Sequence, residues 1–205
     1  MNHTMYQQTC RTMDLCSYEA LKKTMPQLME SSLRKISFLP ENCSRTKSGL
    51  SYQITMESQN ENLIYLEQKQ TIHHNIRKNY VRITRAQCEQ IFAGDTLWMF
   101  LSDNTLLQSF YFQMQIDRLK PVLLSDIRRE VCYDIHTGIS RVFETSIGQV
   151  AFQPELFFAE LLNLPETLRP NTVRYIEKKE QIVPIAVYDM LHHDPGTLPA
   201  AGGAY

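Results

Sequence analysis

The chain has 205 residues, long enough for one substantial core and short for two. Its hydrophobic fraction of 43% and aromatic fraction of 10% exclude a disordered protein. Lysine and arginine number 21 against 22 acidic residues, a formal net charge of -1, so a broad attraction to nucleic acid or to an anionic membrane is excluded and any polyanion must be met locally.

In chain order, the opening MNHTMYQQTCRTMDLC lacks a basic start followed by an apolar run, and no stretch of about 18 apolar residues follows anywhere. A cytoplasmic chain without direct membrane insertion is expected. The cysteines at 10, 16, 43, 88 and 132 form no CxxC pair and are expected to be free thiols. Leu21, Met25 and Leu28 predict a short helix over 18–29, with Pro26 weakening its end. Strands are predicted over 33–39, 50–57, 62–70 and 77–83, separated by turn-prone ENCSRTKSG and ESQNEN.

Thr84 then opens a helix with Gln87 three residues on, as in a capping box, and Gly94 as its stop. Leu107, Phe110, Tyr111 and Met114 recur at helical spacing within 105–119 and mark a core-facing stripe. VLLSDIRREVCYDI, a turn at HTG and ISRVFETSI predict a hairpin. Residues 155–163 read as helix between two prolines, 172–177 as extended, 185–192 as weakly helical and 195–205 as a loose tail, with 1–194 as a single domain. The fold class is α+β, built around an antiparallel sheet with flanking helices.

Side chains two apart share a strand face. Tyr65, Glu67 and Lys69 therefore point one way, with Ile64 and Leu66 buried against helices on the other. In the hairpin, Arg129 lies opposite Arg128 and Glu130, and Arg141 shares a face with Phe143 and Thr145. Tyr175, Glu177 and Lys179 alternate on one side of the last strand. Such residues gathered in an interior would make a charged cavity suited to triphosphate or polyphosphate, since enclosed charges need partners. On pattern alone the plainer alternative is solvated residues on an open sheet face. His73-His74 and His192-His193 lack a third ligand, Cys132 has no histidine partner, the glycines at 49, 94, 138 and 148 form no P-loop, and Trp98 and Phe100 read as hydrophobic anchors.

The ordered set Leu66–Lys69, Thr84–Trp98, Leu119–Pro121 and Ile127–Cys132 resembles the polymerase domain of the vacuolar transporter chaperone family, within the triphosphate tunnel superfamily. The likeness runs through residues 50–142 and implies that the antiparallel sheet curls into a tunnel-like partial barrel. It implies transfer of the terminal phosphate of ATP to a polyphosphate chain with a divalent cation, Mn2+ or Mg2+. By motif, the resemblance assigns Lys69, Arg129 and Arg141 to catalysis and phosphate binding, Lys179 to a further phosphate contact and Glu177 to the metal. The chain departs from the pattern at Gln53 and Thr55, which stand where the family has two arginines, at Gln68 in place of a lysine, and at Tyr6, Gln8 and Cys10 in the first strand. The stretch between the first helix and Gly49 also leaves little room for a full set of tunnel strands. A degenerate phosphate-binding or structural domain and a triphosphatase are the alternatives these departures keep open. No protein partner is legible.

Overall fold

The computed structural model describes residues 2–25, 27–41, 49–72, 75–160 and 162–180. The expectations for 185–192, 195–205 and both histidine pairs lie outside them. Eight strands alternate with five short helices: β1 (Asn2–Asp14), α1 (Leu15–Lys22), β2 (Met29–Pro40), β3 (Leu50–Glu57), β4 (Ile64–Ile72), β5 (Asn75–Ile83), α2 (Arg85–Ala93), α3 (Leu97–Phe100), α4 (Thr105–Ile116), β6 (Leu119–Asp134), β7 (Ile139–Ala151), α5 (Pro154–Phe157) and β8 (Thr172–Glu180). The strands close into an antiparallel barrel in the order β1-β5-β4-β3-β2-β6-β7-β8. The ring closes with β1 and β2 both ahead of Gly49, so the shortage of strands expected there does not occur. β1 closes the ring by pairing with β5 through Asn2–Gln7 and with β8 through Tyr6–Asp14.

The helices follow local chemistry. Thr84 and Gln87 form the predicted capping box of α2, and Gly94 ends it in the left-handed region at φ 82°. Asn104 caps α4 through Leu106 and Leu107. The helix expected at 155–163 is a single turn, and the one at 18–29 begins three residues earlier, where the side chain of Asp14 caps Ser17.

The main hydrophobic layer lies outside the barrel, not within it. Ile36 and Phe38 of β2, Ile54 and Met56 of β3, and Ile64 and Leu66 of β4 pack with Ile91, Leu106 and Phe110 of the covering helices. Phe110 meets Phe38 edge-on at 5.0 Å between ring centroids and Tyr52 at 5.0 Å. A smaller outer cluster, Tyr18, Phe143, Val173 and Tyr175, sits where α1 covers β7 and β8. With the outer face apolar, the alternate residues of β2–β5 are left to line the interior.

Candidate functional site: the barrel interior

Directly paired residues on neighbouring strands share a face, so the register identifies the interior side chains. Thr55 pairs with Lys35 and Tyr65, Gln53 with Glu67, and Glu67 with Tyr80. Lys69 pairs with Lys78, and Arg129 with Ser31 and Glu144. Glu144 pairs with Arg174, which places Lys178, four residues on, on the same face. A cavity of about 220 Å³ opens among them, lined chiefly by Gln53, Thr55, Glu57, Tyr65, Glu67, Lys69, Lys78, Tyr80, Arg129 and Lys178.

Three carboxylates in this interior each hold one cation. Glu67 accepts from Lys78 at 2.7 Å, from the hydroxyl of Thr55 at 3.0 Å and from the amide of Gln53. Glu144 is paired with Arg174, and Glu57 with Arg129, whose Nε also donates to the hydroxyl of Ser31 at 2.8 Å. Lys35, Lys69 and Lys178 remain, and among the described residues none of them has a carboxylate in ion-pair contact. Lys69 and Lys178 line the cavity, all three lysines are only partly exposed, and burial lowers the pKa of each. Lys69 falls furthest, from the usual 10.5 to about 8, the neighbouring Glu67 opposing the drop and Lys78, Lys178 and Lys35 adding to it. Burial pushes the phenol of Tyr6 up to about 12, and Glu67 adds to that rise.

Lys69 and Arg129 are brought together in the cavity wall. Arg141, Glu177 and Lys179 are not: they occupy the opposite face of the sheet. Arg141 pairs with Cys132 and Glu177, two residues from the Phe143–Tyr175 pair that packs under α1. Glu177 accepts from the hydroxyl of Tyr175 at 2.6 Å and lies 3.4 Å from Arg141. Two local features explain the correction. In β7, Thr145 is an extra residue opposite the Arg128–Arg129 step, so Glu144 and not Thr145 faces inward beside Arg129. In β8, two lysines adjoin, and a one-residue difference in register selects Lys178 in place of Lys179.

The residues not anticipated are Lys35, Lys78, Glu144, Arg174 and Lys178. Lys35 had a usable signal, the alternation of Leu33, Lys35 and Ser37 against Ile36 and Phe38. Gln53 and Thr55 do face the interior, at the positions where arginines were expected. There they serve Glu67. Among the described residues no three His, Cys, Asp or Glu side chains converge as a metal site would require. Glu67, Glu144 and Glu57 each hold a cation, Lys78, Arg174 and Arg129 respectively.

No protein-family model matches the chain, and no curated protein sequence matches it. Solved structures do. A Bacillus halodurans protein provisionally described as an adenylate cyclase aligns with a TM-score of 0.58 and 8% identity, over 93% of this chain and 88% of that one. A Hippeastrum protein, provisionally described as an adenylyl cyclase and reported to have a dominant triphosphatase activity, aligns with a TM-score of 0.53 and 9% identity, over 92% of this chain and 84% of that one. At such identities the likeness is one of fold, and its descriptions are of cyclases and a triphosphatase, not of a polymerase. What is shared with them is the architecture, which in this chain is an eight-stranded antiparallel closed barrel with flanking helices.

Proposed function

We propose that the barrel interior is a receptor for a short linear polyphosphate, triphosphate foremost, gripped by Lys35, Lys69 and Lys178. The carrying observation is that Lys69 and Lys178 line one cavity, with Lys35 near enough to act on Lys69, and that among the described residues none of the three is ion-paired although Glu57 and Glu67 line the same space. Enclosing an ammonium group away from water is unfavourable unless an anion or hydrogen-bond acceptors compensate it. Phosphate oxygens supply both charge and acceptors. The cavity, about 220 Å³, is smaller than the roughly 300–1,000 Å³ of pockets that hold drug-sized ligands, which suits an inorganic chain or the phosphate tail of a nucleotide such as ATP.

Chain extension from ATP is less well supported than binding, because Arg141, Lys179 and Glu177 stand on the outer face. Hydrolysis of triphosphate is the second reading, favoured by the activity described for the Hippeastrum neighbour. Titration calorimetry of the full chain with inorganic triphosphate, on wild type and Lys69→Met, tests the proposal. Parallel incubations with triphosphate or ATP and Mg2+ or Mn2+ report orthophosphate and polyphosphate. Binding that weakens in Lys69→Met without turnover establishes a receptor. Orthophosphate release that depends on Lys69 establishes hydrolysis. Wild-type protein that is folded and binds no triphosphate sinks both.

A further inference from the structure

Arg129 stands apart from the lysines because its guanidinium is already occupied. Arginine presents a planar fork that matches two oxygens of a carboxylate or a phosphate. In β6 that fork faces the cavity, and Glu57 at the end of β3 takes one arm of it, Nη2, through Oε1. The two partners are unequally held. The Arg129 side chain is 14% exposed and is fixed from behind by Ser31, whereas Glu57 is 46% exposed and comes from the last residue of its strand. Immediately beyond it, Ser58 and Gln59 adopt positive φ of 49° and 53°, and the amide of Ser58 is tied to the carbonyl of Ser32 at 2.7 Å. That turn fixes the backbone, while Glu57 lines the same cavity as Lys69 and Lys178.

Resting on the reading of the interior as a polyphosphate receptor, we propose that Glu57 is a tethered competitor for the anion seat of Arg129 and sets the charge a ligand must carry to bind. A phosphate chain anchored on Lys69 and Lys178 gains the Nη2 arm of Arg129 by displacing a carboxylate that is present at high effective concentration because it belongs to the same chain. Triphosphate, with more negative charge than orthophosphate, has the greater electrostatic gain with which to do so. Orthophosphate does not displace Glu57 and is left with the lysines alone. Glu57 thereby acts as a specificity-determining residue, and it does so by opposing the ligand.

Glu57→Gln keeps the shape and removes the charge. Calorimetry with inorganic triphosphate and, separately, orthophosphate is expected to show tighter binding of both, orthophosphate by roughly ten-fold, the scale of one charge-assisted hydrogen bond, and a correspondingly smaller preference for triphosphate. Deleting any negative charge near the cavity could tighten an anion by general electrostatics, so the cycle is completed with Arg129→Ala and the double variant. If the gain passes through the Arg129 seat, it disappears when Arg129 is absent. A gain of the same size in the Arg129→Ala background overturns the proposal, and so does a folded Glu57→Gln protein that binds triphosphate no better than wild type. Should neither wild type nor Glu57→Gln bind triphosphate, it is the receptor reading itself that falls.

Discussion

Arg34 and Lys35 are consecutive residues of β2, and the two faces of the barrel treat their charges in opposite ways. Arg34 points outward and is sealed beneath α5. Its guanidinium donates to the carbonyls of Leu156, Phe157 and Ala159 and lies 3.2 Å from Asp126. Lys35 points inward, where burial depresses its pKa and no carboxylate meets it among the described residues. One buried cation is answered by the protein; the other is left for something else to answer. The contrast separates charge used to hold the fold from charge held ready for a ligand, and stability and binding should therefore respond to the two sites with opposite signs.

The largest effect is expected at Arg34. Arg34→Met leaves Asp126 and three enclosed carbonyls without their donor, at a cost of about 3–5 kcal/mol. That lowers the thermal midpoint by on the order of 10 °C for a chain of this size, measured by scanning calorimetry. Triphosphate affinity per folded molecule stays the same. Lys69→Met inverts the pattern: it stabilises the ligand-free protein by ~1 kcal/mol, since an apolar side chain replaces an enclosed charge. The same substitution weakens triphosphate by roughly ten-fold or more, the loss of one charge-assisted contact. A Lys69→Met protein that melts lower than wild type would erase the distinction and make the lysine structural.

Proton linkage offers a smaller but sharper measure of the same contrast. With the pKa of Lys69 near 8 and its ordinary value 10.5, the penalty of enclosing its charge is fully present below about pH 8 and is relieved as pH rises toward 10.5. A bound anion restores the proton. Triphosphate binding should therefore take up protons near pH 8 and weaken as pH rises through that value. Titrations in buffers of different ionisation enthalpy measure the uptake, and its difference from Lys69→Met removes the ligand's own titration. Equal uptake in both proteins would mean that Lys69 does not receive the anion.

How much of this arrangement was legible depended on whether one face of a strand was clearly apolar. In β3 and β4 the outward residues Ile54, Met56, Ile64 and Leu66 lie under helices, so the alternation put Glu67 and Lys69 on the other face of β4, and the resemblance put Gln53 and Thr55 on that of β3. The capping box at Thr84 and the strand limits 50–57 were readable for equally local reasons. In β7 and β8 both faces mix the two kinds of residue. Glu144, Val142, Ile176 and Lys178 face in, while Phe143, Arg141, Tyr175 and Glu177 face out. Polarity there carries no directional information, and the bulge at Thr145 shifts the alternation by one residue. The first strand was legible only through the family resemblance: Gln7–Thr12 is exposed throughout, so hydrophobic periodicity had nothing to register. The interior charge pairs depend on register across four to five strands, which no single segment encodes.

The smallest expected effect is a test of that assignment of faces. Arg141 and Glu177 are each about a third exposed and bound to one another and to Tyr175 on the outer wall. Partly exposed pairs of this kind contribute about 0–1 kcal/mol. Arg141→Ala and Glu177→Gln should then shift the thermal midpoint by no more than a few degrees and change triphosphate affinity less than about two-fold, because the sheet itself stands between them and Lys69. Lys178→Met and Lys179→Met make the comparison stricter, since the two residues are neighbours in sequence with the same charge. Only the first should weaken triphosphate. If Lys179→Met is the damaging one, or if Arg141→Ala matches Lys69→Met, the ligand lies on the outer wall, and the unanswered lysines of the interior require a different explanation.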